Sequence, residues 1–224
     1  MMRGPRLVLL GKQGAGKGTQ ALRLSEHYGT AHLSTGDLFR AAARAGTQAG
    51  LSAQRYMDVG ELVPDEIVIG VVEELFADTK LVERGFVLDG FPRTLHQAEE
   101  LDRVLGATPL DLVVNLDVPT EIALVRLAGR RVCEDCGTTY HVDLPPAVPW
   151  ICDVCGGKVV QRDDDTESAI LRRLELYERE TLPIIQFYRR QQRLVVVAGN
   201  GPGAEVFERL VAAVDTFREL CGEP

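Results

Sequence analysis

The stretch GKQGAGKGT (11–19) sits between the apolar run RLVLLG (6–11) and a helical pattern over 17–28. An apolar run with no polar alternation reads as a strand buried on both faces. Glycines at 11, 14, 16 and 18 let the backbone turn its N–H groups toward an anion, because no side chain blocks the approach. The N-terminus of the following helix adds the positive end of its dipole. The spacing fits G-x-x-x-x-G-K, in which Lys17 reaches the terminal phosphates of a nucleotide. A plain glycine turn is the alternative, but strand, loop, lysine and helix agree on a phosphate site. Its residues are Gly14, Ala15, Gly16, Lys17, Gly18 and Thr19. Such a loop serves ATPases, GTPases and kinases alike.

Outward from the loop the same rhythm recurs. GFVLDG (85–90), DLVVNLDV (111–118) and RLVVVAG (193–199) read as further buried strands, and Ala31–Ser34 as a short one. Helical patterns run over 17–28, 37–45, 65–77, 95–105, 119–128, 167–189 and 204–220. Strands apolar on both faces and separated by helices predict a doubly wound α/β fold around a parallel sheet. Two regions break the rhythm. Residues 34–63 are helical with small residues and no intervening strand, which predicts a helical insert. Residues 129–165 carry four cysteines, two adjacent prolines and an acidic run, which predicts a second, separate insert.

The chain has 224 residues, is 45% hydrophobic and carries a formal charge of −8. That length supports one sizeable core with a small inserted domain. The acidic balance argues against a protein whose main task is gripping nucleic acid, yet arginines recur along the chain as local anion sites. No apolar run approaches the ~20 residues of a membrane helix, and the short run near the N-terminus ends in the glycine loop rather than extending as a signal segment. The expectation is a cytoplasmic protein with no membrane partner.

Cys133, Cys136, Cys152 and Cys155 form C-x₂-C-x₁₅-C-x₂-C, the spacing of a four-thiolate zinc site. Disulfides do not suit a reducing compartment, and four cysteines leave no open position for a catalytic metal. A structural Zn²⁺ is therefore expected; iron also binds such sulfurs. An insert of about 37 residues has little core of its own, so metal crosslinking would let it move as a rigid unit. Cys221 stands apart as a free thiol on the last helix, with no assigned role.

GKQGAGKGTQ (11–20), LSTGDLFR (33–40) and LDGFPRT (88–94) occur in this order, and MDVGELVPDE (57–66), GRRVC (129–133), TTYHVDLPP (138–146) and QRDDD (161–165) stand elsewhere in the chain. Together these motifs resemble the adenylate kinases and related nucleoside monophosphate kinases, and the resemblance spans nearly the whole chain. It implies a phosphate-loop core (1–33, 64–128 and 166–224), an AMP-binding insert (34–63) and a lid over ATP (129–165), here of the long zinc-bearing type. It implies monomers that transfer the γ-phosphoryl of ATP to AMP with Mg²⁺. Resembling loops usually read G-x-P-G; here Gln13 replaces the proline, leaving a more flexible entry, and Lys12 adds a charge near the phosphates.

Moving a phosphoryl group between two anions calls for positioning and positive donors, and no base is needed where the acceptor phosphate is already ionised. Arginine offers rigid, bidentate donors for this. The resemblance sets Arg40, Arg93, Arg162 and Arg173 around the AMP and transferring phosphates, Arg130 with ATP, and Arg126 near its adenine. Arg130 is read as ending the helix before the lid. A lone arginine is ordinarily a surface residue in an ion pair worth ~0–1 kcal/mol; the motifs argue otherwise. Asp89, ending a strand, matches the carboxylate that orients Mg²⁺ through water, or else caps a turn. Thr35, Glu61, Leu62, Val63, Gly90, Phe91, Pro92 and Gln97 match the AMP pocket, with Gln97 presenting an amide to adenine. Thr35 as a helix cap and Leu62 as ordinary core are the alternatives. Thr139, Tyr140 and Gly201 match ATP contacts. Asp164 and Asp165 either cap the next helix or pair with lid arginines. Rival readings are the same chemistry with UMP or CMP as acceptor or GTP as donor, a zinc-ribbon nucleic-acid-binding ATPase, and a non-catalytic nucleotide sensor.

Overall fold

The computed structural model describes residues 3–220. Cys221 lies outside them. The central sheet contains β1 (Arg6–Leu10), β2 (Ala31–Ser34), β3 (Phe86–Asp89), β4 (Leu112–Asp117) and β8 (Leu194–Ala198), in the order β2-β3-β1-β4-β8. All of its pairings are parallel. The absence of polar alternation has a direct structural cause. Val8 and Leu10 of β1 point into one core with Phe86, Leu88 and Val113, while Leu7 and Leu9 point into the other with Val87, Val114 and Leu116. Both faces are dry, so both alternating sets must be apolar.

Helices cover the two faces. α1 (Lys17–Tyr28), α7 (Thr120–Ala128) and α10 (Gly203–Leu220) supply Ala21, Leu24, Ala123 and Leu210 to one core. α4 (Asp65–Phe76), α6 (Leu95–Leu105) and α9 (Leu182–Arg190) supply Val72, Leu101 and Ile184 to the other. The chain leaves β1 toward β2 on one side and later returns to β4 on the other, so the crevice beyond the C-terminal ends of β1, β3 and β4 is a topological switch point, where α/β sheets bind ligands.

Two pieces project around that crevice. α2 (Thr35–Arg44) and α3 (Gln48–Asp58) form a hairpin of helices. Ser34 caps α2 by accepting from the Asp37 N–H, so the cap is Ser34, and Thr35 is the first helical residue. The other piece is an antiparallel sheet, β6-β5-β7, of β5 (Arg130–Cys133), β6 (Thr139–His141) and β7 (Val159–Val160). Arg130 thus opens a strand rather than ending a helix: α7 stops at Ala128 because Gly129 turns the chain, and Arg130 pairs with His141.

A short helix, α5 (Thr79–Arg84), precedes β3 and has no counterpart in the sequence reading. The helical pattern over 167–189 is α8 (Glu167–Leu176), a π-helical turn (Tyr177–Thr181) and α9. Among the described residues, no helix is long and apolar enough to cross a membrane.

Candidate functional site

A cleft of about 2310 Å³ opens between the sheet's C-terminal rim, the helical hairpin and the small sheet. The glycine loop forms its floor. Gly14 has φ +80°, and a Cβ there would stand 2.5 Å from the Ala123 carbonyl oxygen, so only glycine lets the loop lie this close to α7. α1 starts at Lys17 with no side-chain cap on its first N–H groups, which are left for a ligand. The Lys17 ammonium folds back and donates to the carbonyls of Gly11 (2.7 Å) and Lys12 (2.9 Å). Burial lowers its pKa to about 8; Asp89 opposes the shift, and Arg93 and Arg130 reinforce it.

Lys12 behaves differently from its sequence reading. Its ammonium donates to Thr120 Oγ1 (2.9 Å) and lies 3.5 Å from Glu178, so its charge is directed to α7 and the π-helical turn instead of the loop's anion site. Asp89 ends β3 beside α1, where a Cβ on Gly18 would lie 3.4 Å from Asp89 Oδ2. Asp89 Oδ1 is buried without a hydrogen-bond partner. An orphaned carboxylate oxygen beside a phosphate loop suits a hard, oxygen-seeking cation such as Mg²⁺.

Across the cleft five guanidinium groups converge from different elements: Arg40 on α2, Arg93 after β3, Arg130 on β5, Arg162 after β7 and Arg173 on α8. Burial and the neighbouring Arg173 and Arg40 push the Arg93 pKa down against Asp89 and Asp164. Arg162 is lowered to about 10 by burial, Arg40 and Arg130. Arg93 Nε donates to the Gly90 carbonyl (2.8 Å), and among the described residues no carboxylate pairs with it. Around this group carboxylates hold the other arginines. Asp37 pairs with Arg40 and lies 3.9 Å from Arg162. Asp165 takes both Arg130 and Arg173, while Asp164 accepts from Arg173 at 2.6 Å. These arginines hold Asp164 below the usual carboxylate range despite its burial. The helix cap is Thr166, so the two aspartates form ion pairs rather than capping α8.

The wall toward α6 is a small cavity lined by Thr35, Gly36, Leu62, Val63, Gly90, Arg93 and Gln97, among others. Gln97 is buried, and both ends of its amide are held: Oε1 accepts from the Arg93 N–H (2.8 Å), and Nε2 donates to Asp65 Oδ1 (2.7 Å). Asp65, which also accepts from Thr94 at 2.8 Å, was legible only as an acidic residue in a helix's first turn. Glu61 pairs with Arg172 at 2.7 Å, and Arg173 donates to the Met57 carbonyl, tying the end of the hairpin to α8. Phe91 and Pro92 line the large cleft beside Arg93. Thr181, in the π-helical turn, donates to the Arg93 carbonyl (2.9 Å), a contact between residues 88 positions apart that no local pattern announces.

On the loop side, Arg126 donates to the carbonyls of Ala15 (3.2 Å) and Gly199 (3.1 Å), bridging the phosphate loop to the segment after β8. Gly201 and Thr139 line the cleft. Tyr140 also borders it, but its hydroxyl is committed to the cysteine cluster: it donates to Cys152 Sγ (3.4 Å) and accepts from the Asp153 N–H (2.8 Å).

The four cysteine sulfurs lie within 4.8 Å of one another. Cys133 and Cys155 approach to 3.4 Å, and Cys136 and Cys152 to 3.5 Å. Tetrahedral zinc with Zn–S bonds of about 2.3 Å sets sulfurs about 3.8 Å apart, a spacing these four sulfurs could meet around a metal ion. In each knuckle the glycine after the second cysteine returns its N–H to the first cysteine's carbonyl, Gly137 to Cys133 (3.1 Å) and Gly156 to Cys152 (2.9 Å). Both glycines sit at φ +75°, in the left-handed region that glycine enters without strain.

The family model described as adenylate kinase matches residues 9–193. A protein named adenylate kinase from Thermodesulfovibrio yellowstonii is 50% identical over 213 residues, which is 94% of this chain and 99% of that protein. Adenylate kinases from Clostridium kluyveri (44% identical; 93% of this chain, 97% of that protein) and Methanosarcina barkeri (45% identical; 94% of this chain, 99% of that protein) align over nearly their whole lengths. With a phosphate loop facing converging arginines on a doubly wound sheet, and this identity along almost the full sequence, the chain belongs to the adenylate kinase family, enzymes of phosphoryl transfer between nucleotides.

Proposed function

We propose that the protein transfers the γ-phosphoryl of ATP to the phosphate of AMP, reversibly, giving two ADP. The observation that carries this reading is the group of five arginines lining one cleft with Lys17, in which burial and the neighbouring guanidiniums of Arg40, Arg130 and Arg173 lower the pKa values of Arg93 and Arg162. Such a cluster is poised for bound anions. A cleft of 2310 Å³ exceeds the ~300–1,000 Å³ of an ordinary ligand site, consistent with two nucleotides side by side.

In this reading the loop N–H groups of 14–19 and Lys17 hold the ATP phosphates. Arg126, Thr139, Tyr140 and Gly201 border the adenosine end. Arg40, Arg93, Arg162 and Arg173 hold the AMP phosphate in line with the γ-phosphoryl, and Arg130 follows the group that moves. Charge spreading over the transferring oxygens meets preorganised guanidinium donors, which stabilise the transition state more than either ground state. The small cavity takes the AMP base and ribose against Thr35, Glu61, Leu62, Val63, Gly90, Phe91, Pro92 and Gln97. Its fixed amide favours one base edge, since a mismatched base would leave buried groups unpaired. Asp89 would hold a Mg²⁺ through water; when bound, that ion neutralises polyphosphate charge.

Residues 129–165 act as a lid whose closure excludes water, and 34–63 as the AMP-binding piece. Cys133, Cys136, Cys152 and Cys155 bind a structural Zn²⁺ that gives the lid its shape. Four cysteines free of disulfides suit a reducing, cytoplasmic setting, and the protein works as a monomer with ATP, AMP and ADP as its partners. The test is ADP formation from ATP and Mg²⁺ with AMP, UMP, CMP and GMP in turn. Fast turnover with AMP alone is expected. Turnover with a different acceptor moves the specificity, and no turnover with any acceptor overturns the reading.

A further inference from the structure

Gln13 is the one residue of the segment 11–16 whose side chain brings a polar group to the cleft. Gly11, Gly14, Ala15 and Gly16 carry none, and Lys12 is drawn away to Thr120 and Glu178. Gln13 lines the cleft, yet its amide makes no hydrogen bond to any described residue, and its Oε1 is buried without a partner. Proteins seldom leave a buried amide oxygen orphaned unless a ligand, an ion or water completes it. Around Gln13, Lys17 is held on two carbonyls, Arg126 on two more, and Gln20 Nε2 on the Gly203 carbonyl, while Asp89 Oδ1 and Gln20 Oε1 share the lack of a partner.

We propose that Gln13 is a further catalytic residue: its carboxamide N–H donates to the transferring phosphoryl group, while Oε1 accepts from a guanidinium of the converging set. An amide is the neutral side chain that serves both partners, a donor to the anion and an acceptor from the cation. The proline usual in resembling loops has neither group, so this loop has a contact that those loops lack. The assignment rests on the phosphoryl-transfer reading above.

The experiment compares wild type, Gln13→Ala, Gln13→Glu and Lys17→Met with ATP, AMP and Mg²⁺, measuring kcat and both KM values, the pH profile and Tm. Because the amide bonds to no described residue, Gln13→Ala should keep its Tm. Its kcat should fall at least about tenfold with both KM values nearly unchanged, as expected for loss of one donor to a developing charge. Gln13→Glu removes the N–H and sets a carboxylate against phosphate, so its kcat should fall further and recover as pH drops and the carboxyl protonates. Wild-type kcat in both Gln13 variants, with Lys17→Met inactive, overturns the role of Gln13 and leaves the phosphoryl-transfer reading standing; the amide then merely holds water. A change confined to KM likewise overturns it. Wild type inactive toward every acceptor removes the reading and this inference together.

Discussion

The five-stranded sheet and the three-stranded sheet are held together by different physics. In the first, Leu7, Val8, Val113 and Val114 are fully buried, and helices cover both faces. In the second, strands of four, three and two residues enclose a core of Cys133, Cys152 and Val159 with Tyr140 packed against it. Around that small core Leu144 is 76% exposed and Val154 72%. Hydrophobic burial of about 25 cal/mol per Å² builds a rigid rim where apolar surface is plentiful. Where it is scarce, the proposed metal held by the four cysteines takes over. On the proposed function the consequence is a division of labour: chemistry on the rim of the large sheet, and a separately held cover above it.

The comparison breaks first at Lys17. Lys17→Met should lower kcat by about 10²–10³-fold or more, because a charge meant for the transferring oxygens is gone. Its fold should survive, since the lost contacts are hydrogen bonds to two loop carbonyls, about 1 kcal/mol each. Metal content should be unchanged. Normal turnover would remove the rim from the chemistry.

Cys152→Ser probes the other half. Metal affinity should drop by more than the roughly 10–100-fold that loss of an outer-shell partner costs. Proteolysis should then open 129–165 well before the central sheet melts, with activity at low temperature partly retained. Simultaneous melting of both sheets would erase the distinction between them.

A smaller effect sharpens the rim's electrostatics. Free Lys17 titrates near pH 8, against about 10.4 in an unfolded chain. Between these values the folded protein binds fewer protons than the unfolded one, so Lys17's contribution to stability grows as pH rises through that window. ATP binding has the opposite sign: phosphate favours the charged ammonium, so affinity should fall as pH rises above 8. Calorimetry at pH 8 in buffers of differing ionisation enthalpy should show uptake of roughly half a proton per ATP. Zero uptake would mean that Lys17 does not meet the phosphates.

The same contrast explains what the sequence made legible. Buried parallel strands and the glycine loop announce themselves locally, because each residue's environment repeats along the strand. The cysteine cluster is equally plain, because ligand spacing is chemistry written in sequence. What stayed hidden are contacts between distant positions. Asp65 grips the Gln97 amide across 32 residues, and Tyr140 turns its hydroxyl to Cys152. Lys12 crosses to Thr120, 108 residues away. The helical period up to Arg126 extends naturally to Arg130 in sequence; only pairing with His141 makes Arg130 a strand residue. The π-helical turn leaves no mark in the pattern, since a helical period continues on both sides of it.

The proposed division of labour is tested most directly by varying the metal offered to the four cysteines. Protein loaded with Zn²⁺, Co²⁺ or Cd²⁺ at its cysteines, freed of excess metal and assayed with Mg²⁺ at a temperature where all forms are folded, should show kcat values within about twofold of one another, because a site with four protein thiolates offers no position to substrate. A kcat that changes tenfold or more with the identity of the metal would place that ion in the chemistry and contradict the account.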